Sequence, residues 1–303
     1  MQHMLSNWFK LAASIFTISI LIFSCEDQAP DLNNSPTEQL NEESEELLTQ
    51  YVIFDLILND LEVLTFDALS NLEERDPSGS AFTHIDSYLF FGRGSCAIIT
   101  NDFDLNLITL DFGNGCIDNK GIYREGSLQV NYDHADNRVG NRVQVDLTSY
   151  KFQNQSFRGS FTINRQPNIE FDDAFQIGYQ DLELVTNTNT LLLSGTIDQR
   201  HRQGNSTEEM IIEKSSQGSF NGNIGIDSNT SSSIIYFSDC FNNDVYMALS
   251  GTENITLNGH YFQLNYSQKL ANGSTVQNCD YIFGLSDADE AYSQIDLSAF
   301  LSQ

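Results

Sequence analysis

The chain has 303 residues, with 14 Lys+Arg against 42 Asp+Glu and a formal net charge of −28. So negative a field repels phosphate backbones and anionic membrane faces, and it excludes nucleic acid as a partner. Only 18% of residues are charged and 11% are aromatic. That is the composition of a folded, β-leaning chain long enough to bury a full core.

Met1–Lys10 is a short start with one basic side chain, and Leu11–Ser24 is almost wholly apolar. A permanent membrane helix needs about 20 apolar residues, so this shorter run suits the apolar region of an export signal. It ends at Ile22-Phe23-Ser24-Cys25. An aliphatic residue three places before a Cys, with a small residue just before it, resembles the bacterial lipobox. The resemblance implies that residues 1–24 are a lipoprotein signal peptide and that the Cys25 sulfur carries a diacylglycerol. A plain secretory signal, or a single-pass anchor with Cys25 incidental, is the competing reading. Residues 25–40 then read as a flexible tether carrying Glu26, Asp27, Pro30, Asn33, Asn34 and Pro36. Acidic residues directly after the Cys resemble the surface-export signal of Bacteroidota lipoproteins. The expected location is therefore the outer membrane, lipid-anchored and surface-exposed, with the membrane as a partner through the N-terminal anchor.

Residues 41–75 are rich in Glu and Leu and contain no Gly or Pro. Leu47, Leu48, Tyr51, Val52, Phe54 and Leu58 recur near helical spacing, and Leu61, Leu64, Phe66 and Leu69 continue the pattern. The spacing predicts one long helix or two shorter ones, capped by Asn41 or Ser44 and stopped by Asp76-Pro77. So wide an apolar face requires a surface to pack on, either the rest of the chain or a partner.

From residue 80 to 303 the period changes to two. Leu128–Tyr132, Val143–Leu147, Phe157–Ile163, Tyr246–Leu249 and Tyr261–Tyr266 alternate apolar and polar. Turn signals lie between such runs: Gly113-Asn114-Gly115, Asp136-Asn137, Asn141, Asn221-Gly222, Asn242-Asn243-Asp244, Asn258-Gly259 and Asn272-Gly273. One wet and one buried face means antiparallel sheet. The expected body is a mainly β, antiparallel β-sandwich or large curled sheet of a dozen or so strands, with the helical segment at its N-terminal side. Gly126-Ser127, Gly159-Ser160, Gly195-Thr196, Gly218-Ser219 and Gly251-Thr252 form a weak internal echo. It reads either as duplicated units or as glycine at strand starts.

With Cys25 assigned to the lipid, four cysteines remain: Cys96, Cys116, Cys240 and Cys279. An even remainder in an exported chain reads as two disulfides, with three pairings open and the local pairs Cys96–Cys116 and Cys240–Cys279 favoured. Buried thiols are the alternative. A metal site is disfavoured by the lack of a C-x-x-C pair or a nearby His.

The stretch from Ile108 to Tyr132, with Asp111-Phe112-Gly113-Asn114-Gly115-Cys116 at its centre, resembles a DFGxGC motif that recurs in uncharacterised Bacteroidota lipoproteins. The resemblance spans roughly residues 90 to 285 and brings no assigned activity. Its basic residue, Arg124, is placed to pair with Asp111 or Asp118, an interaction of little value if exposed.

No motif for catalysis stands out: His84, His134, His201 and His260 are scattered, and there is no nucleophile elbow or phosphate loop. Asp102, Asp104 and Asn106 begin like a calcium loop, but Leu107 and Gly113 stand where Gly and Glu are required. The expectation is a non-enzymatic binding or structural role with no cofactor. A glycan or a protein is the expected ligand, with Tyr179 and Tyr236 the aromatics considered for sugar stacking. A glycan-hydrolysing protein and an envelope lipid carrier are the alternatives.

Overall fold

Helix α1 (Glu42–Glu73) begins at Asn41, whose side-chain oxygen accepts the Glu43 N–H and whose carbonyl accepts the Glu45 N–H. Glu42, Glu43 and Glu45 in its first turn suit the positive end of the helix dipole. One helix is formed, not two. Its apolar residues fall on every side: Leu47, Tyr51, Val52, Ile53, Phe54, Leu56, Ile57, Leu58 and Leu61 are all buried. A helix apolar all round belongs inside a core and not on top of one. The computed structural model describes residues 41–73, 94–135, 138–166, 173–203, 208–237, 248, 250–269, 275–276, 280–288 and 291–302. Asp76-Pro77, the expected helix stop, lies outside them.

What surrounds α1 is one antiparallel sheet of thirteen strands: β1 (Ile98–Asp102), β2 (Leu107–Ile117), β3 (Tyr123–Ala135), β4 (Arg138–Phe152), β5 (Gln155–Arg165), β6 (Asp173–Val185), β7 (Thr190–Gln203), β8 (Glu208–Phe220), β9 (Ile224–Phe237), β10 (Ser250–Leu257), β11 (His260–Asn265), β14 (Ile282–Asp287) and β15 (Tyr292–Asp296). Neighbours in space are neighbours in sequence, except that the small hairpin β12 (Gln268–Lys269) and β13 (Thr275–Val276) intervenes between β11 and β14. The sheet is not closed, and β1 and β15 are its edges. Of the two expected architectures, the large curled sheet is the one formed.

The curl follows from the contacts of the helix. Phe54 meets Phe157 of β5 at 5.0 Å and Tyr179 of β6 at 5.7 Å between ring centroids, and Phe66 meets Phe175 of β6 at 5.2 Å. Asp60 reaches Arg124 of β3, and Tyr51 reaches Ser228 of β9. A sheet can touch a single helix from β3 through β9 only by wrapping it. Removing a ring such as Phe54 from this interior would cost about 3–5 kcal/mol. At the chain's end, α2 (Ser298–Leu301) stacks Phe300 on Phe152 at 6.1 Å, and the Leu301 carbonyl accepts from Gln153 Nε2 at 2.7 Å.

Part of the glycine echo marks bends that make wrapping feasible. Gly126, Gly159, Gly195 and Gly218 lie inside strands, and Gly251 is the second residue of β10. Register shifts flank Gly126 in the β3–β4 pairing and Gly251 in β9–β10. Gly126 has φ +83° and its missing Cβ would fall 2.3 Å from the Ser149 carbonyl oxygen. Gly251 has φ +121° and a Cβ there would fall 2.6 Å from Ile234 Cα. A bulge bends its strand and raises the local twist. Asn221-Gly222 and Asn258-Gly259 do turn hairpins, with positive φ at both residues. Gly113-Asn114-Gly115 does not: it is a double irregularity within β2, between Asp111 and Cys116. Asn141, also expected in a turn, lies within β4.

Candidate functional site

The stretch from Ile108 to Tyr132 organises the core. Cys116 of β2 is joined to Cys96 by a disulfide that closes the loop leading into the sheet. Past it, Asp118 gathers the turn, with its carboxylate accepting the backbone N–H groups of Gly94, Lys120 and Ile122. Arg124 then points inward from β3 and is wholly buried. It pairs with Asp118 and, through Nη2, with both oxygens of Asp60 at 2.7 Å. Phe112 and Phe152 cover the guanidinium at 5.9 and 5.4 Å. Burial opposes the charge, but Asp60, then Tyr150 and Asp118, outweigh it and hold the proton more tightly than in an ordinary arginine. The expected partner Asp118 is confirmed. Asp111 instead accepts the Gly113 N–H at the surface. The pair is not the weak exposed one anticipated, because a third member arrives from α1.

A second buried cluster lies further along the sheet. Lys214 falls on the inward alternation Ile212, Lys214, Ser216 of β8, and Glu253 on the inward alternation Glu253, Ile255, Leu257 of β10. Asp55 of α1 contacts Lys214 Nζ directly, and Glu253 Oε2 lies 2.8 Å from the same nitrogen. Tyr51 donates to Glu253 Oε1 at 2.5 Å and Tyr266 to Oε2 at 3.0 Å. The Tyr51 hydroxyl also meets Ser228 Oγ at 2.7 Å, which meets Ser216 Oγ at 2.6 Å. The Tyr51 and Tyr266 rings flank the ammonium at 5.2 and 5.6 Å. Burial lifts the Asp55 carboxyl to about 6 against the opposing pull of Lys214. Burial alone would lower Lys214, but Asp55 and Glu253 reverse the sign and raise it. Beside this cluster is a cavity of about 30 Å³ lined in part by Asp55, Lys214, Tyr236 and Tyr266. That is room for one water.

The outer face of the same strands carries an open groove of about 710 Å³. Strand register lays its residues out in two rows. In one, Ser194, Gln217, Asp227, Thr256 and Tyr261 are successive cross-strand partners from β7 to β11. In the other, Thr196, Ser215, Asn229 and Asn254 follow the same path from β7 to β10. Each step along a row is one strand spacing, about 4.8 Å. The Asn254 amide oxygen accepts from the Tyr261 hydroxyl at 2.7 Å, which fixes an aromatic ring, 43% exposed, at the groove's end. Hydroxyls and amides dominate, and Asp227 is the one carboxylate among the described lining residues.

Of the residues singled out in the sequence, Cys25, Cys240 and Cys279 lie outside the described residues, and so does any pairing of the last two. Tyr179 and Tyr236, considered for sugar stacking, are buried and face the helix cluster. Asp102 accepts the backbone N–H groups of Asp104 and Leu105 in a tight local turn. Asp287 accepts the Ala291 N–H. Among the described residues no three His, Cys, Asp or Glu side chains come together as a metal site. The Lys214 cluster was missed. Its signal was there: a Lys and a Glu at the apolar positions of alternating strands, and an Asp on a helix with no polar side. Compared with models of known families, with curated proteins and with solved structures, the chain matches none.

Proposed function

We propose that this chain is a lipid-anchored outer-membrane protein of the cell surface that binds a neutral, polyhydroxylated ligand, a glycan, without transforming it. The observation that supports binding is the groove with its two polar rows. A ladder of hydroxyl and amide groups at strand spacing matches a chain of repeating hydroxyls laid across β7–β11, and the exposed ring of Tyr261 offers a stacking face at one end. The protein's net charge disfavours an anionic polymer. Hydrolysis of a glycosidic bond takes two carboxylates flanking the cleft, and the described lining offers Asp227 alone. A lipid carrier needs a greasy chamber, and here the interior of the curled sheet is filled by α1.

Anchoring rests on the leader that stops at Cys25 and on the acidic tether after it. Radiolabelled palmitate is expected to enter the wild-type protein and not Cys25→Ser, which leaves the membrane fraction. Binding is tested separately by calorimetry of the soluble body against neutral oligosaccharides. Tyr261→Ala and Gln217→Ala are expected to weaken binding at least tenfold with unchanged thermal stability. A wild-type protein that takes up no neutral glycan from a broad panel overturns the binding half of the proposal.

A further inference from the structure

The Lys214 cluster has the parts of a self-made cross-link. A primary amine and a carboxyl are in direct contact, held by two different elements, α1 and β8, that are 159 residues apart in sequence. A second carboxylate, Glu253, touches the amine nitrogen at 2.8 Å and is itself fixed by two tyrosine hydroxyls. The rings of Tyr51 and Tyr266 flank the amine, Lys214 and Glu253 are buried, and the Asp55 side chain keeps 17% of its surface exposed. With the amine and Glu253 buried, the proton that separates an ion pair from a neutral amine and acid moves between groups already in contact, and no outside acid or base is needed. The adjoining cavity of about 30 Å³ is large enough to receive one released water.

From this geometry we propose that Asp55 and Lys214 condense into an intramolecular isopeptide bond, with Glu253 carrying the proton. The ammonium first gives a proton to the Asp55 carboxylate. The neutral Nζ then attacks Asp55 Cγ, forming the C–N bond, and passes its second proton to the Glu253 carboxylate. The tetrahedral centre expels its hydroxyl, which takes that proton back from Glu253 and leaves as water. The products are an amide, one water and Glu253 as it began. No electrons are exchanged and the net charge of the cluster is unchanged. The bond ties the central helix covalently to the sheet wrapped around it, and this inference is independent of what the outer groove binds.

The test is peptide mapping of the purified full-length protein after reduction and denaturation. Trypsin is expected to leave the chain uncut at Lys214. The segment between Arg202 and Lys269 then travels joined to the peptide that carries Asp55, the pair lighter by one water than their sum. Cleavage at Lys214 and a free Asp55 peptide in the wild-type digest would overturn the proposal. Glu253→Gln, which keeps the hydrogen-bonding shape and removes the proton carrier, is expected to give unjoined peptides from a protein with unchanged circular dichroism. Joined peptides from that variant would overturn the role of Glu253. Lys214→Arg keeps the charge and cannot form the amide, so it supplies the unjoined reference map. The wild-type digest decides the bond whether or not either variant folds.

Discussion

Arg124 Nη2 donates to both carboxylate oxygens of Asp60, each at 2.7 Å, and neither side chain is exposed. This contact ties the motif strand β3 to the helix at the centre of the fold, and Asp118 carries it on to the loop closed by Cys96–Cys116. A buried charge is tolerable only while its partners stand. Arg124→Met leaves Asp60 and Asp118 as uncompensated buried carboxylates. The variant is expected to lose about 3–5 kcal/mol, read as a lowered midpoint in urea unfolding. Replacing Arg124, Asp60 and Asp118 together by apolar residues of similar size is expected to cost less than the single change. An equal or larger loss would show that the triad adds stability beyond mutual compensation.

Strand periodicity and the helix at residues 41–75 were legible because both are local patterns that burial imposes directly on a sequence. Asn41 was legible as a cap for the same reason. The placement of the helix was not, since a helix apolar on every side differs from a wide amphipathic face by only a few residues. The small polar breaks that distinguish them, Gln50, Asp55, Asp60 and Glu62, find their partners or their burial only in three dimensions. Arg124 and Asp118 were visible as a pair six residues apart, whereas Asp60 lies 64 residues away. The groove was invisible for another reason: its rows run across strands, so no stretch of sequence contains them. The glycine echo was seen, but the bulges at Gly126 and Gly159 were not legible in it, because a strand start and a mid-strand bulge leave the same mark in one dimension.

The Cys96–Cys116 disulfide closes a loop at the β1 edge of the open sheet, with a sequence separation of 20 residues. In the chain-entropy view such a closure contributes roughly 3 kcal/mol by restricting the unfolded chain. Cys96→Ser with Cys116→Ser is expected to lower stability by that order while leaving the groove on β7–β11 unaltered. Thermal unfolding with and without the pair, together with ligand calorimetry, checks both halves. A variant as stable as the wild type would mean that the loop is already held by Asp118 and its backbone contacts.

The bulges can be probed one at a time. Gly126→Ala meets the Ser149 carbonyl oxygen at 2.3 Å in a left-handed backbone, whereas Gly222, with φ +74°, has open space around its missing Cβ. The left-handed conformation alone costs an L-residue roughly 1–2 kcal/mol. Gly222→Ala is therefore expected to lose about that much and Gly126→Ala clearly more, since backbone must move to admit the new atom. Urea midpoints measured side by side would rank them. Equal losses would remove the steric argument for a glycine at the bend.

Glu62 gives the fold a defined response to pH. It sits on α1 with its Oε1 atom unpartnered, and burial raises its pKa to about 8, opposed only by a hydrogen bond with Gln199. An unfolded glutamate titrates at roughly 4.3. Between those two values the folded chain keeps a proton that the unfolded chain has released, so the native state binds more protons and stability falls as pH rises. Above about 8 both states are ionised and the slope ends. Asp67, raised by burial to about 6, adds a slope of the same sign over the lower part of the window. Glu62→Gln preserves shape and removes the titration. It is expected to flatten the loss of stability between about pH 6 and pH 8, and to be more stable than the wild type at pH 8 while matching it near pH 5. Urea unfolding at the three pH values checks this, and a parallel pH slope in the variant would show that Glu62 is solvated in the folded protein.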